Sequence, residues 1–372
     1  MSTATNAGGI RILSPLTPLG RGIVLGAVIL SVAAMALHWI VRADETLVFL
    51  VAACAILGLA WVVGLATERL GGIAGPQVGG ILNATFGNIA ELIIAFFALQ
   101  AGLLDVVRAS LVGSIIGNLL LVLGASVLVG GLRHGTQRFD ARVAGSTAAL
   151  LVLAAVGMLV PAIFAITAAP HADGRIQQES VIVAIVLIVG YVLSLVWQFT
   201  NPDRTLGGHE PSTGHEGPQW TGRTAVGVLL AAAVLLAVTS EILVGSIEPF
   251  VDSVGLSTFF VGVVLVPTIG NLAEHLVAIQ LAAKNKMEFA MAVSYGSSLQ
   301  VALFVAPLLV IVAALIGQPL TLVFSPLEVV AVGVAVGISA LVALDGESNW
   351  LEGALLVLVY LILAGSFFEL PG

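Results

Sequence analysis

Two segments of the chain carry the same acidic, amide-containing pattern inside long apolar stretches. The first reads Thr85-Phe-Gly-Asn-Ile-Ala-Glu91 and the second reads Thr268-Ile-Gly-Asn-Leu-Ala-Glu274, so each residue of the second is numbered 183 higher than its counterpart. The same offset relates Gly113-Ser114 to Gly296-Ser297. Because the offset is kept over separate motifs, it indicates an internal duplication of the architecture.

Within each copy, the spacing puts polar groups on one side of a helix. Asn88 lies three residues and Gly87 four residues before Glu91, so all three share one helix face. Asn271 and Glu274 repeat this spacing in the second copy. Each copy therefore presents a carboxylate and an amide beside a position without a side chain, where backbones can approach closely.

The composition assigns these segments to a lipid bilayer. Of 372 residues, 59% are hydrophobic and only 9% are charged, whereas soluble domains carry roughly 25% charged residues. The net charge is −8 and the few basic residues form no patch, which argues against a nucleic-acid partner. The single cysteine excludes an intrachain disulfide. We expect an all-α polytopic membrane protein.

Apolar runs of spanning length, ~17–25 residues each, recur along the whole chain. Eleven such runs fall near 23–40, 47–66, 78–101, 109–130, 143–168, 180–199, 224–246, 256–282, 288–316, 322–343 and 350–368. We therefore expect eleven transmembrane helices.

The distribution of basic residues predicts the orientation of these helices. Ten of the 13 Lys and Arg residues lie at the amino terminus or in loops after even-numbered spans, and three lie on the other side. Since cytoplasmic loops hold the excess of Lys and Arg, we expect the amino terminus in the cytoplasm and the carboxyl terminus outside. Span 3 then starts from the cytoplasm and its copy, span 8, from outside, which makes the two halves inverted repeats.

The predicted domain organisation follows from this inversion. We expect an amino-terminal segment with one additional transmembrane helix (1–42), a first five-helix repeat (43–200), a cytoplasmic linker (201–222) and a second, inverted five-helix repeat (223–372). The linker is rich in turn-forming and polar residues, which is typical of a solvated connection.

Glu91 and Glu274 are the foremost candidates for a functional site. A charged side chain at bilayer depth costs about 3 kcal/mol on insertion scales, and such residues mark ion pathways. In an inverted repeat the two would meet near the midplane, where the substrate sites of such transporters lie. The alternative is a pair of protonated carboxyl groups that bond two helices together, which the symmetric duplication disfavours.

Spans 4 and 9 add further oxygen groups. Ser114 and Asn118 are four residues apart and Ser297 and Gln300 are three apart, so each pair can face the centre. Helix packing explains the two serines equally well. The larger amides favour a functional role, because a large amide that points at lipid is costly.

A site of carboxylate, amide and hydroxyl oxygens suits a hard cation. Calcium takes 6–8 oxygen ligands in flexible geometry, whereas magnesium demands a tight octahedron. Two carboxylates also balance a divalent charge. The pattern favours Ca²⁺ and leaves manganese and sodium open.

The same carboxylates give a physical basis for exchange. Empty and doubly ionised, they would repel each other at low dielectric, so the site tolerates either protons or a divalent cation. His275 follows Glu274 directly, whereas Leu92 follows Glu91, and imidazole is the side chain that titrates near neutral pH. We predict proton coupling through Glu91, Glu274 and His275, with a plain hydrogen-bonding role for His275 as the alternative.

Two further acids lie in spans 2 and 7. Glu68 follows Ala66-Thr67, and Glu241 follows Thr239-Ser240, a weaker echo of the duplication. They are predicted either as acids of an entry path or as interfacial groups.

At these motifs the sequence resembles the calcium/proton exchanger (cation/proton exchanger) family of the cation/calcium exchanger superfamily. The resemblance rests on Gly87-Asn-Ile-Ala-Glu-Leu-Ile93, Gly270-Asn-Leu-Ala-Glu-His275, Lys284-Asn-Lys-Met287, Gly296-Ser-Ser-Leu-Gln300 and Asp345-Gly-Glu-Ser-Asn-Trp-Leu-Glu-Gly353. It implies an eleven-span secondary antiporter of Ca²⁺ against H⁺ that needs no cofactor and is not an enzyme. Its implied cation ligands are Glu91 and Glu274, with His275, Asn88, Asn271, Ser297 and Gln300 lining the site.

Three other functions are less well supported. A sodium/calcium exchanger of the same superfamily is disfavoured by His275 and by the absence of further acids near both motifs. A cation channel would use oligomeric symmetry rather than an internal inverted repeat. An intramembrane hydrolase lacks a second histidine at metal-ligand spacing. The short amino terminus and the Ala/Val/Leu-rich spans favour a prokaryotic cytoplasmic (inner) membrane.

Overall fold

The computed structural model describes residues 13–167, 173–201, 206 and 220–370. Most of the predicted linker 201–222 therefore lies outside the described residues. The helices are α1 (Pro18–Val41), α2 (Glu45–Ala74), α3 (Pro76–Phe86), α4 (Ile89–Gln100), α5 (Leu104–His134), α6 (Ala141–Thr167), α7 (Asp173–Thr200), α8 (Gly222–Gly245), α9 (Ile247–Val254), α10 (Thr258–Ala283), α11 (Met287–Ile316), α12 (Pro326–Val342) and α13 (Trp350–Phe368). Two short strands, β1 (Gln137–Arg138) and β2 (Glu347–Ser348), complete the described structure.

Nine helices of the described ranges are long and apolar enough to cross a membrane. These are α1, α2, α5, α6, α7, α8, α10, α11 and α13, and each overlaps one predicted run. The remaining two runs differ from the prediction. The run 322–343 forms the 17-residue helix α12, and the run 78–101 forms two short helices, α3 and α4. The all-α membrane architecture is thus supported, and the count of eleven spans stays a prediction.

The break between α3 and α4 falls at a glycine, although the equivalent Gly270 lies inside the continuous helix α10. Phe86 ends α3, a turn covers residues 87 and 88, and α4 begins at Ile89. Glycine weakens a helix because it loses the most backbone entropy on folding. Gly87 therefore marks a point where an apolar run can be interrupted.

The described chain divides into two compact units. Of the described residues, the first unit comprises 13–94 and 220–253, and the second comprises 95–167, 173–201, 206 and 254–370. Each unit draws on both halves of the chain, so neither corresponds to a single sequence repeat. The division into inverted repeats stays a prediction.

In the first unit, α2 packs against α1 and α8. Gly58 makes the α1 contact possible, because a Cβ there would lie only 2.7 Å from the Ala27 Cβ. Phe49 of α2 stacks on Phe250 of α9, with ring centroids 4.1 Å apart. Small residues at crossings and aromatic contacts are typical of helix packing in membranes.

In the second unit, α5 is the central helix. Of its most apolar 18-residue window, 78% is buried inside the molecule, against 28% for α7. α5 packs against α10, α11 and α13. Gly124 and Gly353 allow the approach of α13, since a Cβ on Gly124 would lie 3.0 Å from the Gly353 carbonyl oxygen.

Three loops of the second unit lie on the same side. β1 pairs with β2 in antiparallel register, and Arg138 Nε lies 3.0 Å from Glu347 Oε1. His134 Nε2 donates a hydrogen bond of 2.9 Å to the carbonyl oxygen of Ala283. The loops that follow α5, α10 and α12 are therefore neighbours. The count of basic residues likewise assigns these three loops to one side of the membrane.

We expect cysteine labelling to report the predicted orientation. In a Cys54→Ala background, Thr136→Cys should react with a membrane-impermeant maleimide only from the cytoplasmic side, and Asp252→Cys only from outside. Both native side chains are exposed, and the excess of Lys and Arg sets the orientation. Labelling of both positions from one side would overturn the topology, and the unmodified Cys54→Ala protein supplies the background signal.

Candidate functional site

Helices α5, α10 and α11 of the second unit bring together one polar cluster. The Ser297 hydroxyl on α11 donates a short hydrogen bond to Glu274 Oε2 on α10. One turn earlier on α10, Asn271 Nδ2 donates a 3.4 Å hydrogen bond to Ser114 Oγ on α5. Three helices that are distant in sequence thus present a carboxylate, an amide and two hydroxyls to one another.

A close approach between α5 and α10 makes this arrangement possible. A Cβ on Gly113 would collide with the carbonyl oxygen of Val263 and lie 2.7 Å from Pro267 Cγ. A Cβ on Gly262 would lie 2.9 Å from the Ala109 Cβ. Glycine at these two positions therefore allows Ser114 to reach Asn271.

Both serine-bearing helices change geometry next to the cluster. α5 turns into a π-helix at Gly117–Val122, three residues after Ser114, and α11 does so at Val301–Val305, four residues after Ser297. Single turns of π-helix interrupt the regular hydrogen-bond ladder and are frequent at functional sites. The two matched motifs therefore share a local distortion as well as a sequence.

The two large amides lie at these distortions. Asn118 belongs to the π segment of α5 and is 1% exposed, and Gln300 directly precedes the π segment of α11. Within the part of the chain that the structure describes, Asn118 Nδ2 has no hydrogen-bond partner. A buried donor of this kind calls for an acceptor such as a water molecule.

His275 borders a small cavity beside this cluster. The cavity has a volume of about 10 Å³, and Ser114, Thr268, His275 and Tyr360 supply its polar groups. This volume is close to the minimum of roughly 10–15 Å³ that one water molecule requires. The sequence motifs do not predict Tyr360, because α13 carries none of the motifs that occur twice. The sequence feature that could have indicated Tyr360 is its phenol hydroxyl within an apolar span.

Asn88 and Glu91 belong to the first unit and are both buried, with exposures of 3% and 7%. Asn88 lies in the turn that separates α3 from α4, and Glu91 lies in the first turn of α4. The prediction of one continuous helix over 78–101 is therefore wrong, because a turn interrupts it at residues 87 and 88. The backbone N–H groups and the positive dipole end of a helix favour a carboxylate in its first turn.

Glu68 and Glu241 have exposed side chains on α2 and α8. Their neighbours Thr67 and Ser240 are buried, and neither hydroxyl has a hydrogen-bond partner among the described residues. The entry-path role of the two acids stays a prediction.

In the described ranges, no three His, Cys, Asp or Glu side chains group closely enough to hold a metal ion by themselves. The polar cluster of the second unit instead combines one carboxylate with amides and hydroxyls. Such oxygen donors suit hard cations rather than the softer transition metals.

The family model described as sodium/calcium exchanger protein matches residues 45–200 and 224–368. The chain belongs to this family. A Ca(2+)/H(+) antiporter of Synechocystis sp. is 46% identical over 356 residues, which cover 90% of this chain and 94% of that protein. The Ca(2+)/H(+) antiporter ChaA of Bacillus subtilis is 40% identical, with 94% of this chain and 98% of that protein covered.

Two solved structures of exchangers share the fold. Native YfkE is 38% identical, with a TM-score of 0.80 over 94% of this chain and 100% of that chain. The H+/Ca2+ exchanger CAX matches with a TM-score of 0.73 over 94% of this chain and 92% of that chain, and its 14% identity speaks for the fold alone. The resemblance of the motifs to calcium/proton exchangers is confirmed.

Proposed function

We propose that this chain is a secondary antiporter that exchanges Ca²⁺ for H⁺ by alternating access. Its relatives at 46% and 40% identity are named Ca(2+)/H(+) antiporters. The observation that carries the proposal is the hydrogen bond between Ser297 and Glu274, which puts two oxygen ligands from different helices side by side. Ca²⁺ and H⁺ are the transported ions, and the exchange uses no cofactor.

Glu91 and Glu274 are the proposed ligands that balance the charge of Ca²⁺. The amide oxygens of Asn88 and Asn271 and the hydroxyl oxygen of Ser297 add neutral ligands, and Ca²⁺ takes roughly 6–8 oxygens in all. The remaining polar groups line the path of the ion. These are Ser114, Asn118 and Gln300.

Charge balance makes the exchange obligatory in this proposal. Two ionised carboxylates without a cation repel each other strongly at low dielectric. The site therefore changes its access when it holds either Ca²⁺ or protons, and not when it is empty and charged. Conformational change is thereby coupled to occupancy, which is the condition for antiport rather than leak.

The architecture that we propose for this mechanism is one amino-terminal helix followed by two inverted five-helix repeats. The matched π segments of α5 and α11 support the repeats. The amino terminus is cytoplasmic and the carboxyl terminus external, in a prokaryotic inner membrane. The names of the relatives favour H⁺ over Na⁺ as the counter-ion, which makes a sodium/calcium exchanger the weaker candidate.

We expect Glu91→Gln and Glu274→Gln each to reduce Ca²⁺/H⁺ exchange at least a hundredfold without unfolding the protein. Glutamine keeps the shape of the side chain but removes the charge that balances the cation. The assay is Ca²⁺ uptake into proteoliposomes under an imposed pH gradient. Glu248→Gln is the control, because Glu248 is exposed on α9 and should keep normal uptake. Near-normal uptake in either folded site variant would remove that residue from the mechanism.

The two adjacent serines of α11 provide a matched pair. Ser297 bonds the Glu274 carboxylate, whereas the fully buried Ser298 donates only to the carbonyl oxygen of Ser294 in its own helix. A hydrogen bond to a charged group is worth about 1.5–3 kcal/mol. We therefore expect Ser297→Ala to weaken the apparent Ca²⁺ affinity tenfold or more, and Ser298→Ala to leave it unchanged. Equal affinities in the two variants would contradict a ligand role for Ser297.

His275→Leu introduces the side chain that follows Glu91 in the first copy. We expect this variant to bind Ca²⁺ but to exchange it more slowly, with a shifted dependence on pH. Calcium binding by isothermal titration and flux between pH 6 and 9 separate the two effects. His275→Gln keeps a hydrogen-bonding group that does not titrate, so normal flux in this variant would assign His275 a hydrogen-bonding role. If the flux of His275→Leu depends on pH in the same way as that of the wild type, proton coupling belongs to the glutamates alone.

A further inference from the structure

A second, larger cavity lies between α6, α7 and α11. Its volume is about 440 Å³, within the range of roughly 300–1,000 Å³ that is usual for ligand pockets. Leu150, Leu153 and Leu299 supply apolar surface, and Ser146, Trp197 and Gln198 supply polar groups. The proposed exchange makes no use of this cavity.

The polar groups of the cavity lie at one end of it. Ser146 lies near the start of α6 (Ala141–Thr167), and Trp197 and Gln198 lie in the last turn of α7 (Asp173–Thr200). α6 and α7 are packed neighbours joined in sequence, so the start of one lies beside the end of the other. Leu153 lies two turns further along α6. The cavity is thus polar at the predicted cytoplasmic end and apolar beyond it.

The cavity is bordered by side chains that face the hydrocarbon. Leu193 and Trp197 line it, and they are 63% and 49% exposed. Both belong to a helix whose surface is mostly unburied. Tryptophan is enriched where a spanning helix meets the headgroup layer. The open side therefore faces the cytoplasmic leaflet of the bilayer.

The chemistry of the mouth favours a phosphate group. Arg142 does not line the cavity, but it precedes the lining residue Ser146 by four residues on α6, so the two share a helix face. A guanidinium binds phosphate oxygens through several N–H donors. Trp197 and Gln198 add further N–H donors. The nearby Asp140 carboxylate is engaged with the backbone N–H groups of Arg142 and Val143, at 2.8 and 3.1 Å.

The linker is poorly suited to fill the cavity. Leu206 contributes to its lining, but residues 207–219 contain no aliphatic or aromatic side chain larger than proline, apart from two histidines. A cavity of this size with apolar walls suits an occupant with a long apolar part, because contact with the walls removes apolar surface from water. The surrounding bilayer supplies such molecules.

We propose that this cavity binds one phospholipid of the cytoplasmic leaflet, with an acyl chain between α6 and α7 and the phosphate at Arg142. Gly296 of α11 lines the cavity, so the bound acyl chain lies against it. Gly296 directly precedes Ser297, which bonds Glu274. The lipid therefore supports the helix that forms one wall of the polar cluster.

Native mass spectrometry of the full chain in mild detergent tests this site. We expect the wild-type protein to retain one phospholipid under activation that strips other lipids. Ala292→Phe, which fills the cavity from α11, should reduce retention at least tenfold. Ala149→Phe is the matched control, because Ala149 is exposed on α6 and does not line the cavity, so retention should stay normal.

A second variant keeps the test independent of cavity packing. Arg142→Gln removes the charge at the exposed mouth and should reduce retention several-fold in a protein that stays monodisperse. Equal retention in wild type, Ala292→Phe and Arg142→Gln would overturn the proposal, as would a folded wild type that retains no phospholipid. Higher retention after replacement of residues 207–219 by a Gly-Ser linker of equal length would assign the cavity to the linker and overturn it too.

Discussion

A carboxylate inside a membrane protein must be compensated, because the low dielectric makes an isolated charge costly. The two copies of the motif provide this compensation differently. Glu274 lies within the continuous helix α10 and receives the hydroxyl of Ser297 from α11. Glu91 lies in the first turn of α4, where the preceding turn leaves N–H groups and a dipole end that favour negative charge. The local structure around both acids thus compensates for a carboxylate at low dielectric.

The close packing of the second unit follows from the short reach of a serine side chain. Ser114 contacts Asn271 only because Gly113 and Gly262 remove the side chains that would hold α5 and α10 apart. The π segments next to the serines hold about one more residue per turn than an α-helix. They therefore rotate the side chains that follow to a different face of the helix. Small residues and helix distortions are thus the means by which polar groups from distant helices meet. A regular, leucine-rich bundle would keep them apart.

The sequence was informative wherever a residue type is rare in its surroundings. Polar residues inside apolar runs indicate Glu274, Asn271 and Ser297. The structure places Glu274 and Asn271 on α10 and bonds Glu274 to Ser297 on the neighbouring α11. Hydropathy did not detect the turn at residues 87 and 88, because a single Gly-Asn pair barely changes the average over a spanning window. Tyr360 is not among the predicted site residues, because these are predicted from motifs that occur twice and the last span contains no such motif. These misses share one physical origin, since packing between helices decides where a helix breaks or a lone hydroxyl points.

The difference between the two copies bears on the proposed exchange of two kinds of ion. A carboxylate at a helix start is stabilised by backbone dipoles that cannot be protonated, so its environment stays constant through the cycle. The carboxylate of Glu274 is instead bonded by the Ser297 hydroxyl, a side-chain group that can rotate. A duplicated pair with identical surroundings would bind and release in the same manner at both acids. In the exchange that we propose, different surroundings would let one acid hold the cation while the other governs the exchange of protons. Leu92 stands in the first copy at the position that His275 holds in the second.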